Sequence, residues 1–183
     1  MLKYLPNALT TLRLLLALPL GVLILRQDYQ LALWVGLLAG ITDALDGFAA
    51  RRLNYFSPLG AALDPVADKL LVLVTFVCLA NIALIDWKLA AIVIGRDLVI
   101  VGGAVCYRVL IGSFEFGARP LSKLNMIVQI FFCILILATP LFPSIPGELV
   151  SVTTTAVIII AITSGLDYIV SWSKKALMKS KES

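Results

Sequence analysis

The sequence predicts an all-α, polytopic integral membrane protein with six transmembrane helices. Two global observations carry that expectation. Hydrophobic residues make up 61% of the 183 positions and charged residues only 14%, and the mean hydropathy is +1.02. A chain of this length forms one domain, residues 1–183, so the apolar excess cannot be shared among several cores. A soluble fold would leave much of it exposed to water. The composition therefore excludes a soluble enzyme, a disordered chain and a coiled coil.

The third observation is local. A membrane-spanning helix needs about 20 predominantly apolar residues, and six stretches qualify, at 8–25, 31–53, 60–85, 89–111, 121–141 and 149–172. Turn chemistry separates them: Gln27-Asp28-Tyr29, Asn54 to Pro58, Asp86-Trp87-Lys88, residues 112–120, and Pro143-Ser144-Ile145-Pro146-Gly147. The runs lack the two-residue alternation of a lipid-facing strand, which favours helices over a barrel. No internal repeat or low-complexity tract interrupts them.

The cations set the expected orientation. With the amino terminus inside, Lys3, Arg51, Arg52, Arg108, Arg119, Lys123, Lys174, Lys175, Lys179 and Lys181 fall on the cytoplasmic side, and Arg26 and Lys88 on the other. Residues 174–183 form a basic cytoplasmic tail suited to anionic lipid. Arg13 breaks the first apolar stretch early and no small-residue cleavage site follows, which argues against a signal peptide. The expected address is a bacterial inner (cytoplasmic) membrane.

Several chemistries are excluded at once. The chain has no histidine, so imidazole bases, Ser-His triads and His-bound metals are absent. Cys78, Cys106 and Cys133 are far apart in apolar segments and read as small buried hydrophobes. The net charge is only +4, without basic patches interleaved with aromatics, so no nucleic-acid partner is expected.

The anomaly lies between residues 43 and 68. Asp43, Asp46, Asp64 and Asp68 all fall within or at the cytoplasmic ends of the second and third stretches. One uncompensated charge there costs about 2.5 kcal/mol or more. On helices, Asp43 and Asp46 are three residues apart and Asp64 and Asp68 four apart, so each pair shares a face. The short connection makes the two helices antiparallel neighbours on which the pairs can converge. Four carboxylates in one pocket repel unless they are protonated or bridged by cations. An all-oxygen donor set favours Mg2+ or Mn2+. Gly47, Ala50 and Gly60 keep the same faces shallow, and Arg51 adds a fork that matches phosphate. Carboxylates, small residues and an arginine together suggest a nucleotide-diphosphate site. A structural salt-bridge cluster explains the acids less well, because Lys69 and Arg52 point about 100° away from Asp68 and Arg51. The rival class is a divalent-cation transporter or a non-catalytic metal-binding membrane protein, since intramembrane acids also mark ion pathways.

The segment Asp43-Ala44-Leu45-Asp46-Gly47-Phe48-Ala49-Ala50-Arg51, eight residues, then Gly60-Ala61-Ala62-Leu63-Asp64-Pro65-Val66-Ala67-Asp68 fits D-x-x-D-G-x-x-A-R-x8-G-x-x-x-D-x-x-x-D at every fixed position. It resembles the signature of the CDP-alcohol phosphatidyltransferases. That resemblance implies transfer of a phosphatidyl group from CDP-diacylglycerol to an alcohol, with release of CMP, by a homodimeric enzyme with a two-metal site. It implies that Asp43, Asp46, Asp64 and Asp68 ligate the metals and that Asp68 is the base on the acceptor hydroxyl. Gly47, Ala50 and Gly60 would admit the cytidine and ribose, and Arg51 would hold a phosphate.

Weaker features bear on the acceptor, a glycerol-type alcohol. Asn7, Thr10 and Arg13 lie near one face of the first helix. They fit a helix cap with a snorkelling arginine, or an Asn-x-x-Thr-x-x-Arg stretch that in glycerol-using branches of the family flanks the nucleotide. Arg96 and Asp97 are adjacent in the fourth helix, so they are not expected to form a simple neutralising pair. Arg96 is expected to meet an acceptor phosphate or one of the four aspartates. Lys123 fits the positive-inside rule and also lies in Ser122-Lys123-Leu124-Asn125. This piece and Gly95-Arg96-Asp97 are similar to CMP-forming cardiolipin synthases, whereas phosphatidylglycerophosphate synthases more often carry a lysine where Asn125 stands. The lean is towards phosphatidylglycerol over glycerol 3-phosphate as acceptor. Thr153-Thr154-Thr155, Ser164 and Gly165 suit close helix packing or a dimer seam.

Overall fold

The computed structural model describes residues 5–53, 58–110 and 120–179, with side-chain surroundings for 11–42, 69–103 and 121–171. The described chain is all-helical: α1 (Leu5–Leu25), α2 (Tyr29–Leu53), α3 (Pro58–Asn81), α4 (Trp87–Leu110), α5 (Pro120–Ala138) and α6 (Gly147–Lys179). Each coincides with one of the six apolar stretches.

The ends follow from local chemistry. After α1, Asp28 N–H reaches the Leu23 carbonyl and Gln27 N–H that of Ile24, with Gln27 in the left-handed region at φ 61°. This pattern satisfies the last carbonyls of a helix and usually places glycine at the left-handed position. The same closure ends α3 at Ala83 (φ 57°), where Leu84 N–H bonds to the Leu79 carbonyl. The third stretch was expected to run to residue 85. It stops at Asn81 because this cap turns the chain without glycine or proline to announce it. Two aspartates then start helices. Asp28 accepts from Leu31 N–H at 3.3 Å before α2, and Asp86 accepts from Lys88 N–H at 2.8 Å before α4. Glu148 in the first turn of α6 complements the helix dipole.

One continuous core unites Leu20 and Ile24 of α1, Val72, Phe76 and Leu79 of α3, Leu89 and Val93 of α4, Phe132 and Ile136 of α5, and Val157 of α6. Phe76 stacks on Phe132 with ring centroids 5.8 Å apart. α1 packs between α2 and α3, and α6 packs on α4 and α5. Among the described glycines the tightest approach is at Gly21, where a Cβ would stand 2.8 Å from Val74 Cγ1 and 3.3 Å from Cys78 Sγ. Only glycine lets α1 sit this close to α3.

The radial distribution of polarity is inverted relative to a water-soluble bundle. Large apolar residues face outward on every helix, among them Leu18 (70% exposed), Trp34 (63%), Leu73, Leu98 (65%), Ile127 (65%) and Val152 (65%). Arg13, Thr42, Arg96, Asn125, Gln129 and Ser164 are buried. Such an exterior is stable against lipid and not against water. Among the described residues, 121–138 and 147–171 are by themselves long and apolar enough to cross a membrane. Shorter apolar helices cover 11–25, 29–42 and 69–81.

Candidate active site

Among the described residues, a set of buried and partly buried polar side chains lies in the half of the bundle away from the tight turns. α1 brings Arg13, α3 brings Lys69, α4 brings Arg96 and Asp97, α5 brings Ser122, Asn125 and Gln129, and α6 brings Ser164. Arg96 is the hub. One terminal nitrogen, Nη2, donates to Ser122 Oγ at 3.1 Å and to Ser164 Oγ at 2.6 Å. The other, Nη1, donates to the Asp97 carboxylate, which also lies 3.8 Å from Lys69 Nζ. A single guanidinium thereby ties α4 to α5 and α6, and Asp97 extends the network to α3.

One expectation is corrected here. Arg96 and Asp97 do form a pair: adjacent Cβ atoms diverge on a helix, but the arginine stem is long enough to fold back onto its neighbour. Lys69, expected only to point away from Asp68, has its carboxylate partner on the next helix. The stem of Arg96 crosses α6 at Gly165, where a Cβ would stand 3.5 Å from Arg96 Cγ. The small residues Ser164 and Gly165 thus serve packing within the chain. Thr153, Thr154 and Thr155 turn their hydroxyls back on the carbonyls of Leu149, Val150 and Ser151.

Arg13 is 1% exposed and lines a narrow crevice of about 50 Å³ between α1, α2, α3 and α5, with Gly36, Gly40, Thr75 and Met126. Lys123 is exposed in the first turn of α5. Asn125 and Gln129 are nearly fully buried, and Asn125 Oδ1 and Gln129 Nε2 have no partner among the described residues. Their burial was not expected. The spacing of Ser122, Asn125 and Gln129, three and then four residues apart, is the signal for an inward polar stripe.

The signature itself occupies helix. Asp43, Asp46, Gly47, Ala50 and Arg51 lie in the second half of α2, and Gly60, Asp64 and Asp68 in the first half of α3. The helical backbone keeps Asp43 with Asp46, and Asp64 with Asp68, on shared faces. Asn7 and Thr10 lie in the first turns of α1. The side chains of all these residues, and their convergence, lie outside the described residues. Among the described residues, no group of three potential metal ligands comes together. The donor set in the signature nevertheless suits a hard divalent ion, being all carboxylate with two pairs at helical spacing. Asp68 immediately precedes Lys69, so the signature runs directly into the Lys69–Asp97–Arg96 network.

A profile of the CDP-alcohol phosphatidyltransferases matches residues 3–170. The chain belongs to this family. Among related proteins, a cardiolipin synthase (CMP-forming) of Homo sapiens is 38% identical over 153 residues, which cover 75% of this chain and 51% of that protein. A CDP-diacylglycerol–glycerol-3-phosphate 3-phosphatidyltransferase of Pseudomonas fluorescens is 44% identical over 101 residues, covering 52% of this chain and 51% of the relative. One of Rickettsia typhi is 31% identical over 157 residues, covering 81% and 86%. The chain spans about half the length of the human and Pseudomonas relatives. Both product types named in the family, cardiolipin and the glycerol 3-phosphate adduct, are thus represented among its relatives.

Proposed function

We propose that this CDP-alcohol phosphatidyltransferase transfers the phosphatidyl group of CDP-diacylglycerol to a glycerol-type alcohol and releases CMP. The observation that carries this reading is the complete signature on two helices that run into a buried polar network, within a match covering residues 3–170. Six transmembrane helices hold the site at the cytoplasmic face of an inner membrane, where the nucleotide can be in water while the acyl chains stay in lipid. The protein acts as a homodimer.

Asp43, Asp46, Asp64 and Asp68 would hold two Mg2+ or Mn2+ ions, which would neutralise the pyrophosphate and stabilise the leaving CMP. Gly47, Ala50 and Gly60 leave room for cytidine and ribose, Asn7 and Thr10 flank them, and Arg51 holds a phosphate. Asp68 takes the proton of the acceptor hydroxyl, whose oxygen forms a bond to the lipid-bearing phosphorus as the bond from that phosphorus to CMP breaks. In a chain without histidine, a carboxylate is the available base. Arg13, Arg96 and Lys123 serve the acceptor side. Lys123 is exposed to receive a phosphate, and Arg96 can exchange its Asp97 contact for one.

The acceptor is phosphatidylglycerol, because Asn125 stands where a small, doubly charged phosphate monoester would need a further cation. The test supplies labelled CDP-diacylglycerol with phosphatidylglycerol and glycerol 3-phosphate together to purified protein. Cardiolipin and CMP are the expected products. Phosphatidylglycerophosphate alone would reject the acceptor assignment, and no CMP with either would reject the reaction and favour a transporter.

A further inference from the structure

We infer that Ser122 and Ser164 are positioning residues that fix one terminal nitrogen of Arg96, and that Asp97 is a built-in anion on the other, displaced onto Lys69 when the phosphate of the acceptor arrives. This rests on the reading of the protein as a phosphatidyltransferase with Arg96 on the acceptor side, and deepens it by assigning roles to the residues around that arginine.

The two terminal nitrogens of Arg96 have different surroundings. Nη2 donates to Ser122 Oγ of α5 at 3.1 Å and to Ser164 Oγ of α6 at 2.6 Å, which uses both of its hydrogens on neutral hydroxyls. Ser164 is fully buried. Neither serine brings a charge that an arriving anion would replace, so this nitrogen stays where α5 and α6 hold it. A hydroxyl that accepts from arginine also keeps its own proton to donate. Nη1 faces Asp97 instead, and the Asp97 side chain is partly exposed whereas that of Arg96 is buried. Carboxylate and phosphate offer a guanidinium the same kind of charged oxygen. The pairing at rest is also incomplete. Arg96 Nε is buried with no partner among the described residues, a deficit that calls for an explanation, and a ligand with more oxygens than a carboxylate supplies one.

Displacement needs somewhere for Asp97 to go, because a carboxylate stripped of its partner inside a membrane bundle is costly. Lys69 of α3 supplies the place. Its Nζ lies 3.8 Å from Asp97 Oδ1, the same oxygen that Arg96 Nη1 contacts. The Lys69 side chain is 36% exposed, so the pair can close by a side-chain movement without disturbing the core. At rest one carboxylate is shared between two cations. After displacement Lys69 and Asp97 form a pair of their own, and Arg96 pairs with the phosphate. Each of the three charged side chains then has a partner at both stages, which keeps the cost of the exchange low.

The test uses the full chain in detergent with Mg2+ and measures KM for CDP-diacylglycerol and for the acceptor. Phosphatidylglycerol and glycerol 3-phosphate are supplied in separate arms, because both carry a phosphate. Ser164→Ala should raise the acceptor KM about threefold to about twentyfold, the span measured for hydrogen bonds between membrane helices. Ser122→Ala should act in the same direction. Asp97→Asn keeps the shape but removes the competing charge, so it should lower the acceptor KM by a similar factor. The KM of CDP-diacylglycerol should move less than that of the acceptor in every case. Thr163→Ala removes a hydroxyl that bonds only within α6 and should change neither value. Lys69→Gln should raise the acceptor KM in the wild type and leave it unchanged in Asp97→Asn, where no displaced charge needs a partner. A network that only holds helices together would lose acceptor affinity in Ser164→Ala and Asp97→Asn alike, and that result overturns the proposal. So does a Lys69→Gln effect that simply adds to that of Asp97→Asn, or a larger shift for CDP-diacylglycerol than for the acceptor. In those cases continued CMP release leaves the reaction standing. A wild type that releases no CMP with either acceptor rejects the reaction, and the proposal with it.

Discussion

The two ends of this bundle are built on opposite principles. At one end, Leu20, Ile24, Phe76, Leu79, Leu89 and Phe132 interlock, and the helices are joined by turns capped by Asp28 and Asp86. At the other, the buried residues described include Arg13, Arg96, Asn125, Gln129 and Ser164, and the carboxylate signature arrives on α2 and α3. Apolar packing needs no partner geometry and tolerates lipid outside. Buried polar groups in a membrane are stable only when they answer one another or a ligand. Their concentration at one end separates the part that holds the helices together from the part available for chemistry. If that division is right, damage at one end should change stability and damage at the other should change turnover.

The largest expected effect is at the polar end. Chelating divalent metal should lower CMP release by about a thousandfold or more, since such ions contribute several kcal/mol to charge stabilisation. Mg2+ or Mn2+ should restore it and monovalent salt should not. Full turnover with metal verified absent would show that the polar end works without a bound ion.

Phe76→Ala should act in the opposite manner. Removing a fully buried ring stacked on Phe132 should reduce stability by about 3 kcal/mol, read as a lower Tm in detergent. Turnover per folded molecule should stay within about twofold, in keeping with a packing role rather than a chemical one. A specific loss of turnover at unchanged Tm would show that the packed end participates in catalysis.

Arg96→Ala tests the hub. Its bonds to Asp97, Ser122 and Ser164 span three helices. Hydrogen bonds inside membrane proteins average only about 0.6 kcal/mol, so about 2 kcal/mol of stability should be lost. The acceptor KM should rise more than that of CDP-diacylglycerol. An unchanged ratio of the two would limit Arg96 to a structural role.

Ala83→Gly should give the smallest effect, a stabilisation of about 1 kcal/mol, because glycine carries no Cβ penalty in the left-handed conformation. A Tm that falls would show that the Ala83 methyl packs usefully.

Much of this division was legible in the residues. Six apolar stretches became six helices, and Asp28 and Asp86 at the breaks became caps. The signature fell on helix, as its three- and four-residue spacings require. Four features were not legible. Ala83 ends α3 early because a left-handed alanine leaves no sequence mark. α6 continues to Lys179, beyond the expected residue 172, because helix propensity persists after apolarity ends. The Arg96–Asp97 pair escaped a rule based on Cβ direction, which a long flexible stem does not obey. The partners of Arg96 on α5 and α6 are 26 and 68 residues away, a separation that local periodicity does not reach.

The most direct test of the central claim, that the polar end carries the reaction, is the turnover of Asp68→Asn. Asparagine keeps the shape and one acceptor oxygen but cannot take the acceptor's proton. Transfer should fall by at least about a hundredfold, the lower range for general-base catalysis, while CDP-diacylglycerol binding and Tm remain measurable and close to wild type. Turnover within about tenfold of wild type, too small a loss for a removed general base, would contradict that claim.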